Sequence, residues 1–191
     1  RKFCGEEITI IGAGRTDAGV HAIGQVANFH TSKLFEPYKL ISAFNYYLKP
    51  LPIVVTEASI VDSTFHARFS AKARHYCYRL YYGPVCPVFD YGSVWHCPYK
   101  LDIEAMIVAA QMLLGTHDFT SFRAARCQAR NPVITLTQLD IITPREKEIN
   151  FMISARSFLH HMVRNIVGTL VAVGCHRWPP EHVLSMLEAK D

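Results

Sequence analysis

The segment Gly14-Arg15-Thr16-Asp17-Ala18-Gly19-Val20-His21 sets one carboxylate two residues after an arginine and two before a glycine. An ionised carboxylate that is held still and within reach of a substrate can act as a nucleophile or a base. A neighbouring guanidinium lowers its pKa. Gly14 and Gly19 let the backbone turn and let a large substrate come close. The same residues also read as a polar hairpin connection, since Asp and Gly are common turn formers. A phosphate cradle fits less well. Gly12-x-Gly14-x-x-Asp17 carries Asp where the third glycine of a dinucleotide fingerprint belongs, and no Gly-Lys-Ser/Thr follows. The next segment also reads as strand, whereas both nucleotide motifs open a helix. No nucleotide cofactor is expected.

Three further constellations carry chemistry. Between Phe65 and Arg79, four cations (Arg68, Lys72, Arg74, Arg79) and His66 and His75 interleave with Phe65, Phe69, Tyr76 and Tyr78. Cations meet phosphates, and a base stacked on an aromatic ring is worth about 1–3 kcal/mol. Phe65, Phe69 and Tyr78 read as core, while Tyr76 suits core and base stacking equally. In Ala155–Gly168, helical spacing aligns Arg156, His160, Arg164 and Gly168 in a stripe on an otherwise apolar segment. Arg164 is therefore expected to be partly buried and to need an anion, either a carboxylate or a phosphate. Neighbours on a helix point about 100° apart, so His160 and His161 are a poor chelating pair and read as packing or RNA-contact residues. Asp118–Arg123, followed by Arg126 and Arg130, is either a basic rim for phosphates or a solvated loop.

These residues need elements to place them. Ile8–Ala13 and Gln25–Phe29 read as strands flanking the Asp17 loop. Pro37–Leu48 reads as a helix with Leu40, Ile41, Phe44 and Leu48 on one face, ended by Pro50-Leu51-Pro52. Ile53–Ile60 reads as a strand. Arg74–Tyr82 alternates, with Tyr76, Tyr78, Leu80 and Tyr82 on one face. Asp102–Leu114 is a helix capped by Asp102 and followed by Gly115. Thr135–Ile142 and Ile149–Ala155 form a hairpin around Pro144–Lys147. Phe158–Val173 is a long helix, and Pro179-Pro180 opens a last one with Val183, Leu184 and Leu187 inward. Hairpin-length connections without βαβ alternation predict an α+β fold with a largely antiparallel, mixed sheet and helices packed on it.

Half the residues are hydrophobic, enough for one large or two small domains, and the net charge of +4 is compatible with a polyanionic partner without requiring one. Six cysteines are scattered without a Cys-x-x-Cys pair. That argues against structural zinc and suits a reducing cytoplasm, and no metal is expected. Ile166–Cys175 is too short to cross a bilayer. The sequence opens on Arg1 and stops inside a helical pattern at Asp191, as expected of a piece cut from a larger protein or of a chain given without disordered ends.

Taken in order, these motifs resemble the bacterial tRNA pseudouridine synthases of the TruA family. The likeness rests on Gly14–His21 with Gly24-Gln25-Val26, and on Asn45. It continues through Phe65-His66-Ala67-Arg68-Phe69 with Tyr76 and Tyr78, and through Asp118-Phe119-Thr120-Ser121-Phe122. It closes on Phe158, His160-His161-Met162-Val163-Arg164-Asn165 and Gly168. The family's opening strand, with its Asp-Gly and Trp-Gln-Arg-Gln loop, and its closing Gly-Leu strand fall outside Arg1–Asp191.

The resemblance implies a pseudouridine synthase fold of two sub-domains flanking an active-site cleft. Residues 1–60 would carry the catalytic loop, and 61–191 the basic-aromatic strand and the Arg164 helix. It implies cofactor-free isomerisation of uridine to pseudouridine at positions 38, 39 and 40 of the tRNA anticodon arm, by a cytoplasmic homodimer. Asp17 would be the catalytic aspartate, adding to uracil C6, attacking ribose C1′ or taking a proton. Arg164 would be its counter-ion. Tyr76 would stack on the uracil and assist the proton step, and Arg15 would fill the space of the flipped base. His66, Arg68, Arg123 and Arg126 would contact the RNA. Two other classes compete: a non-catalytic RNA-binding module, and a dinucleotide-dependent enzyme using Gly12 and Gly14.

Overall fold

The computed structural model describes residues 5–191. The chain divides into two units, residues 1–71 and 72–191. In the first, β1 (Ile11–Gly12) pairs antiparallel with β2 (Ala27–Asn28), with Ile11 opposite Asn28. Both strands are shorter than the expected Ile8–Ala13 and Gln25–Phe29. Ala13 extends the pairing, donating its N–H to the Val26 carbonyl at 2.9 Å. Helix α1 (Pro37–Tyr47) starts on a proline, whose missing N–H costs nothing at a first turn. The Phe44 ring meets Phe29 edge-on at 6.0 Å.

Ile53–Ile60 is not a strand. Its β-branched residues favour extended backbone, but a strand needs a ladder partner, and here the Asn45 side chain stands in for one. Asn45 accepts from the Val55 N–H at 2.7 Å and donates to the Val55 carbonyl at 2.9 Å. One two-sided amide contact holds the segment where a row of backbone bonds was expected.

The second unit is built on a five-stranded sheet in the order β4-β3-β7-β6-β5. Its elements are β3 (Arg74–Tyr82), β4 (Trp95–Cys97), α2 (Ile103–Met112), β5 (Gly115–Asp118), β6 (Val133–Ile142), β7 (Glu148–Ala155), α3 (Met162–Gly174) and α4 (His182–Ala189). Only β3 and β4 run parallel, so the sheet is mixed and largely antiparallel. Period-two alternation puts Leu80, Ile149, Phe151, Ile153, Leu136 and Leu139 on one face. They meet Met106, Leu113, Met162, Ile166 and Leu170 from the helices in a single core. Each such side chain removed from water contributes about 1.5–3 kcal/mol.

Asp102 caps α2 by accepting from the Ala105 N–H at 3.0 Å, and its own N–H donates to the Gly174 carbonyl at 2.9 Å. The start of α2 is thereby fixed to the end of α3. The two helices approach closely there, because a Cβ on Gly174 would lie 2.5 Å from Met106 Sδ.

Two expectations fail in the helices. Helix α3 begins at Met162, not Phe158, because His161 takes a left-handed backbone (φ 62°) that breaks helical continuity. In α4, Leu184 is 40% exposed, and Met186 packs against the core beside Val183 and Leu187.

Candidate active-site elements

In the first unit the Asp17 loop connects β1 to β2. It closes on a turn in which the Val20 N–H donates to the Asp17 carbonyl at 3.2 Å. Gly19 occupies the third position of that turn at φ 82°, where an L side chain would be strained. Gln25 Nε2 donates to the Gly14 carbonyl at 3.3 Å and fastens the loop's entry to its exit. Asp17 is half-buried, while Arg15 and His21 are exposed.

The second motif is joined to this hairpin by a residue the sequence did not single out. Asn28 in β2 is 8% exposed. Its Oδ1 accepts from the Ala67 N–H at 2.8 Å, and its Nδ2 reaches the Phe65 carbonyl at 3.4 Å. The Phe65–Phe69 block is therefore placed by the strand that ends the Asp17 loop. Within the block, His66 Nδ1 accepts from the N–H groups of Arg68 (3.2 Å) and Phe69 (3.3 Å), which leaves the neutral ring's proton on Nε2. The His66 ring lies 4.3 Å from Phe69, and the exposed Arg68 guanidinium sits over Phe69 at 5.8 Å. Phe69 is 74% exposed, not a core residue. Its flanking cation and exposed face suit a stacking surface better.

In the second unit Tyr76 occupies the core-side face of β3, half-buried, with Phe158 edge-on at 5.1 Å and 82°. Tyr78, two residues along the same face, meets Trp95 edge-on at 6.3 Å. Burial pushes the Tyr78 phenol up, and the charge of Arg164 opposes part of that rise. Arg164 thus stands near the row of tyrosines, on the first turn of α3.

Arg164 is exposed, which corrects the expectation of burial. The expected stripe also dissolves, because Arg156 and His160 precede the helix. Arg156 instead offers its carbonyl to Arg74 Nη1 at 2.6 Å. The His160 and His161 rings lie 3.9 Å apart, so they do not splay as neighbours on a helix would. A helix start favours negative charge, and Arg164 adds a full positive charge to it. This end of α3 is an anion-attracting spot.

The Asp118–Arg123 segment is docked on that spot. Asp118 accepts from the Thr120 N–H and hydroxyl at 3.0 and 2.7 Å, bonds that hold its carboxyl below the usual range. Phe119 and Phe122 are fully buried. The Asn165 side chain donates to the Phe122 carbonyl at 3.0 Å, and the Ala124 N–H donates to the His160 carbonyl at 2.9 Å. The segment is an ordered short helical turn, not a solvated loop. It carries a half-buried Arg123 and an exposed Arg126 past the start of α3.

The comparisons with known proteins decide what these elements belong to. The model of a family described as tRNA pseudouridine synthase matches residues 1–70 and 109–191. The chain belongs to that family. Among its relatives, the tRNA pseudouridine synthase A of Ruegeria sp. (strain TM1040) is 47% identical over 188 residues, covering 97% of this chain and 73% of the relative. The tRNA pseudouridine synthase A of Wolbachia pipientis wMel is 50% identical over 185 residues, covering 97% and 75%. Both parts of the family match carry site elements: the first holds the Asp17 loop and the His66 block, and the second holds the Arg123 turn and the Arg164 helix. Among the described residues no helix is long and apolar enough to cross a membrane.

Proposed function

We propose that this protein isomerises uridine to pseudouridine in the anticodon arm of tRNA, at positions 38, 39 and 40. It does so as a homodimer in the cytoplasm. The observation that carries this reading is the family match, whose two parts contain the Asp17 loop and the start of α3. The bond between uracil N1 and ribose C1′ breaks and a bond from C5 to C1′ forms. The hydrogen on C5 leaves to solvent, and N1 gains one. No electrons are gained or lost, so no redox partner enters the balance.

Each residue has a physical task in this reaction. Asp17, on a turn fixed at both ends, supplies the carboxylate, by addition at C6, by attack at C1′ or by proton removal. Arg164 serves as its counter-ion, a role suited to a guanidinium that can pair with a carboxylate. Flipping a base costs a few kcal/mol of stacking. The exposed Arg15 offsets part of that cost by entering the vacated space. Tyr76, fixed edge-on by Phe158, stacks on the flipped uracil and assists the proton step at C5. His66, Arg68, Arg123 and Arg126 follow the phosphates, which makes binding steeply salt-dependent. One loop serving three successive positions implies recognition by RNA shape and flexibility.

Carbodiimide mapping of tRNA incubated with the purified protein tests the site assignment. Modification confined to positions 38–40 is the expected pattern. Modification elsewhere overturns the anticodon-arm assignment, and tRNA that is bound but unmodified supports a pure binding module instead.

A further inference from the structure

Helix α3 closes on its own backbone. His176 takes a left-handed conformation at φ 56° and donates its N–H to the Val173 carbonyl at 2.8 Å. The Arg177 N–H donates to the Ala172 carbonyl at 2.9 Å. This double closure satisfies carbonyls of the last turn with backbone donors. The Arg177 guanidinium lies over the Tyr99 ring, 5.9 Å from its centre. Next in sequence, the Trp178 ring is layered on His182 at 4.7 Å and 36°. The bond from the Asp102 N–H to the Gly174 carbonyl keeps Tyr99 and Lys100 beside this helix end. Tyr99 is 55% and Trp178 38% exposed, and Lys100, His176 and Arg177 are exposed as well. The carbonyl end of a helix attracts cations, which accounts for the charges here. It does not account for two large aromatic rings open to water. Asp102 faces His176 at 3.5 Å and caps α2. Glu181, next to His182 in the chain, sets one negative charge against Lys100 and Arg177.

We infer that the patch of Tyr99, Lys100, Arg177 and Trp178 is a second RNA-binding surface, for the body of the tRNA outside its anticodon arm, an inference that rests on tRNA being the substrate. Trp178 stacks on an unpaired base, and Arg177 and Lys100 hold the flanking phosphates. Open aromatic rings with lysine and arginine beside them are the make-up of a surface for unpaired nucleotides. The parts are also fixed in advance. His182 backs one face of Trp178 and leaves the other for a base. Tyr99 beneath the guanidinium holds the plane of Arg177, where a flexible side chain would lose entropy on binding. Position decides which part of the RNA arrives here. Arg164 stands at the opposite end of α3, eleven residues before Cys175, which is about 16 Å along the helix axis. The arm offers unpaired bases in its loop, and the loop is engaged at the Arg164 end. Its stem is paired. An unpaired base at Trp178 therefore comes from beyond the stem.

Fluorescence anisotropy with full-length tRNA and with the isolated anticodon stem-loop, side by side at the same salt, tests this. The wild type is expected to bind full-length tRNA about tenfold or more tightly than the stem-loop. Trp178→Ala is expected to weaken binding of full-length tRNA about tenfold. Arg177→Ala weakens it as well and lowers the slope of log affinity against log salt by about one. Both variants bind the stem-loop as the wild type does and keep its turnover at saturating tRNA. If Trp178→Ala fails to fold by circular dichroism, Arg177→Ala and Lys100→Ala decide. Unchanged affinity of the variants for full-length tRNA overturns this surface and leaves the functional reading standing. Equal losses on both RNAs from folded variants also overturn it, as does a wild type that binds the two RNAs equally. A wild type that binds no tRNA overturns the functional reading and this surface with it.

Discussion

Replacing Asn28 with alanine should uncouple the Phe65–Phe69 block from the Asp17 hairpin, and the size of the effect follows from two bonds. The stronger is the 2.8 Å bond from the Ala67 N–H, a donor on a residue only 2% exposed. After truncation that N–H stays buried and loses its acceptor, which costs about 1–3 kcal/mol. The 3.4 Å contact to the Phe65 carbonyl lies at the edge of hydrogen-bond range and adds little. The expected loss of local stability is about 2 kcal/mol, or roughly a 30-fold shift in the opening equilibrium. Native-state hydrogen exchange reads it directly. The Ala67 amide in Asn28→Ala should exchange about 30-fold faster, while the amides of Phe151 and Ile153 in the second unit keep their wild-type rates. Unchanged protection at Ala67 would refute the claim that Asn28 fastens this block. Acceleration at Phe151 as well would show global destabilisation instead.

Other expectations follow from the same geometry. Phe158→Ala removes the edge-to-face contact that fixes Tyr76. Turnover should fall by about tenfold with little change in tRNA affinity, and equal losses in both would deny Phe158 its positioning role. Arg164→Met should lower single-turnover rate far more than tRNA binding, by roughly a hundredfold against less than tenfold. Comparable losses would make Arg164 a phosphate contact. Asp118 has a folded pKa below its unfolded value, so its stabilisation is present above the ordinary carboxylate range and vanishes as pH falls through the lowered value. Acid-unfolding curves of wild type and Asp118→Asn should therefore differ above about pH 4 and converge in stronger acid. Parallel curves throughout would contradict this.

Where local chemistry dictated structure, the sequence was readable. Arg74–Tyr82 alternates strictly, and β3 has those limits. Asp102 is an N-cap by type and by contact. The hairpin of β6 and β7 follows from two β-rich runs around a short polar turn. Elements defined by distant partners were not readable. The three residues of β4 and four of β5 have no period of their own and exist through pairing with β3 and β6. Ile53–Ile60 has strand composition but lacks a ladder. The start of α3 was misplaced because apolar spacing continues smoothly through Phe158 and Leu159, and only the His161 backbone interrupts it. Arg156 and His160 therefore precede the helix, and Arg164 is exposed on its first turn.

The site was legible as motifs but not as supports. Asp17, His66, Tyr76 and Arg164 stand out by type and company. Asn28 looks like any strand residue and shows its work only through bonds to residues nearly forty positions away. Asn45 matched the family pattern without a reason, and its two bonds to Val55 supply one.

The central claim is that the carboxylate of Asp17 breaks and remakes the glycosidic bond. Release of tritium from tRNA labelled at uracil C5 measures that event, since the hydrogen leaves only when C5 bonds to the sugar. Asp17→Asn keeps the side-chain shape and removes the charge. Its tritium release should fall by roughly 10⁴-fold or more while tRNA affinity stays level or rises, because a like charge has been removed from beside the phosphates. Release at the wild-type rate from the Asn variant would contradict the account at its root.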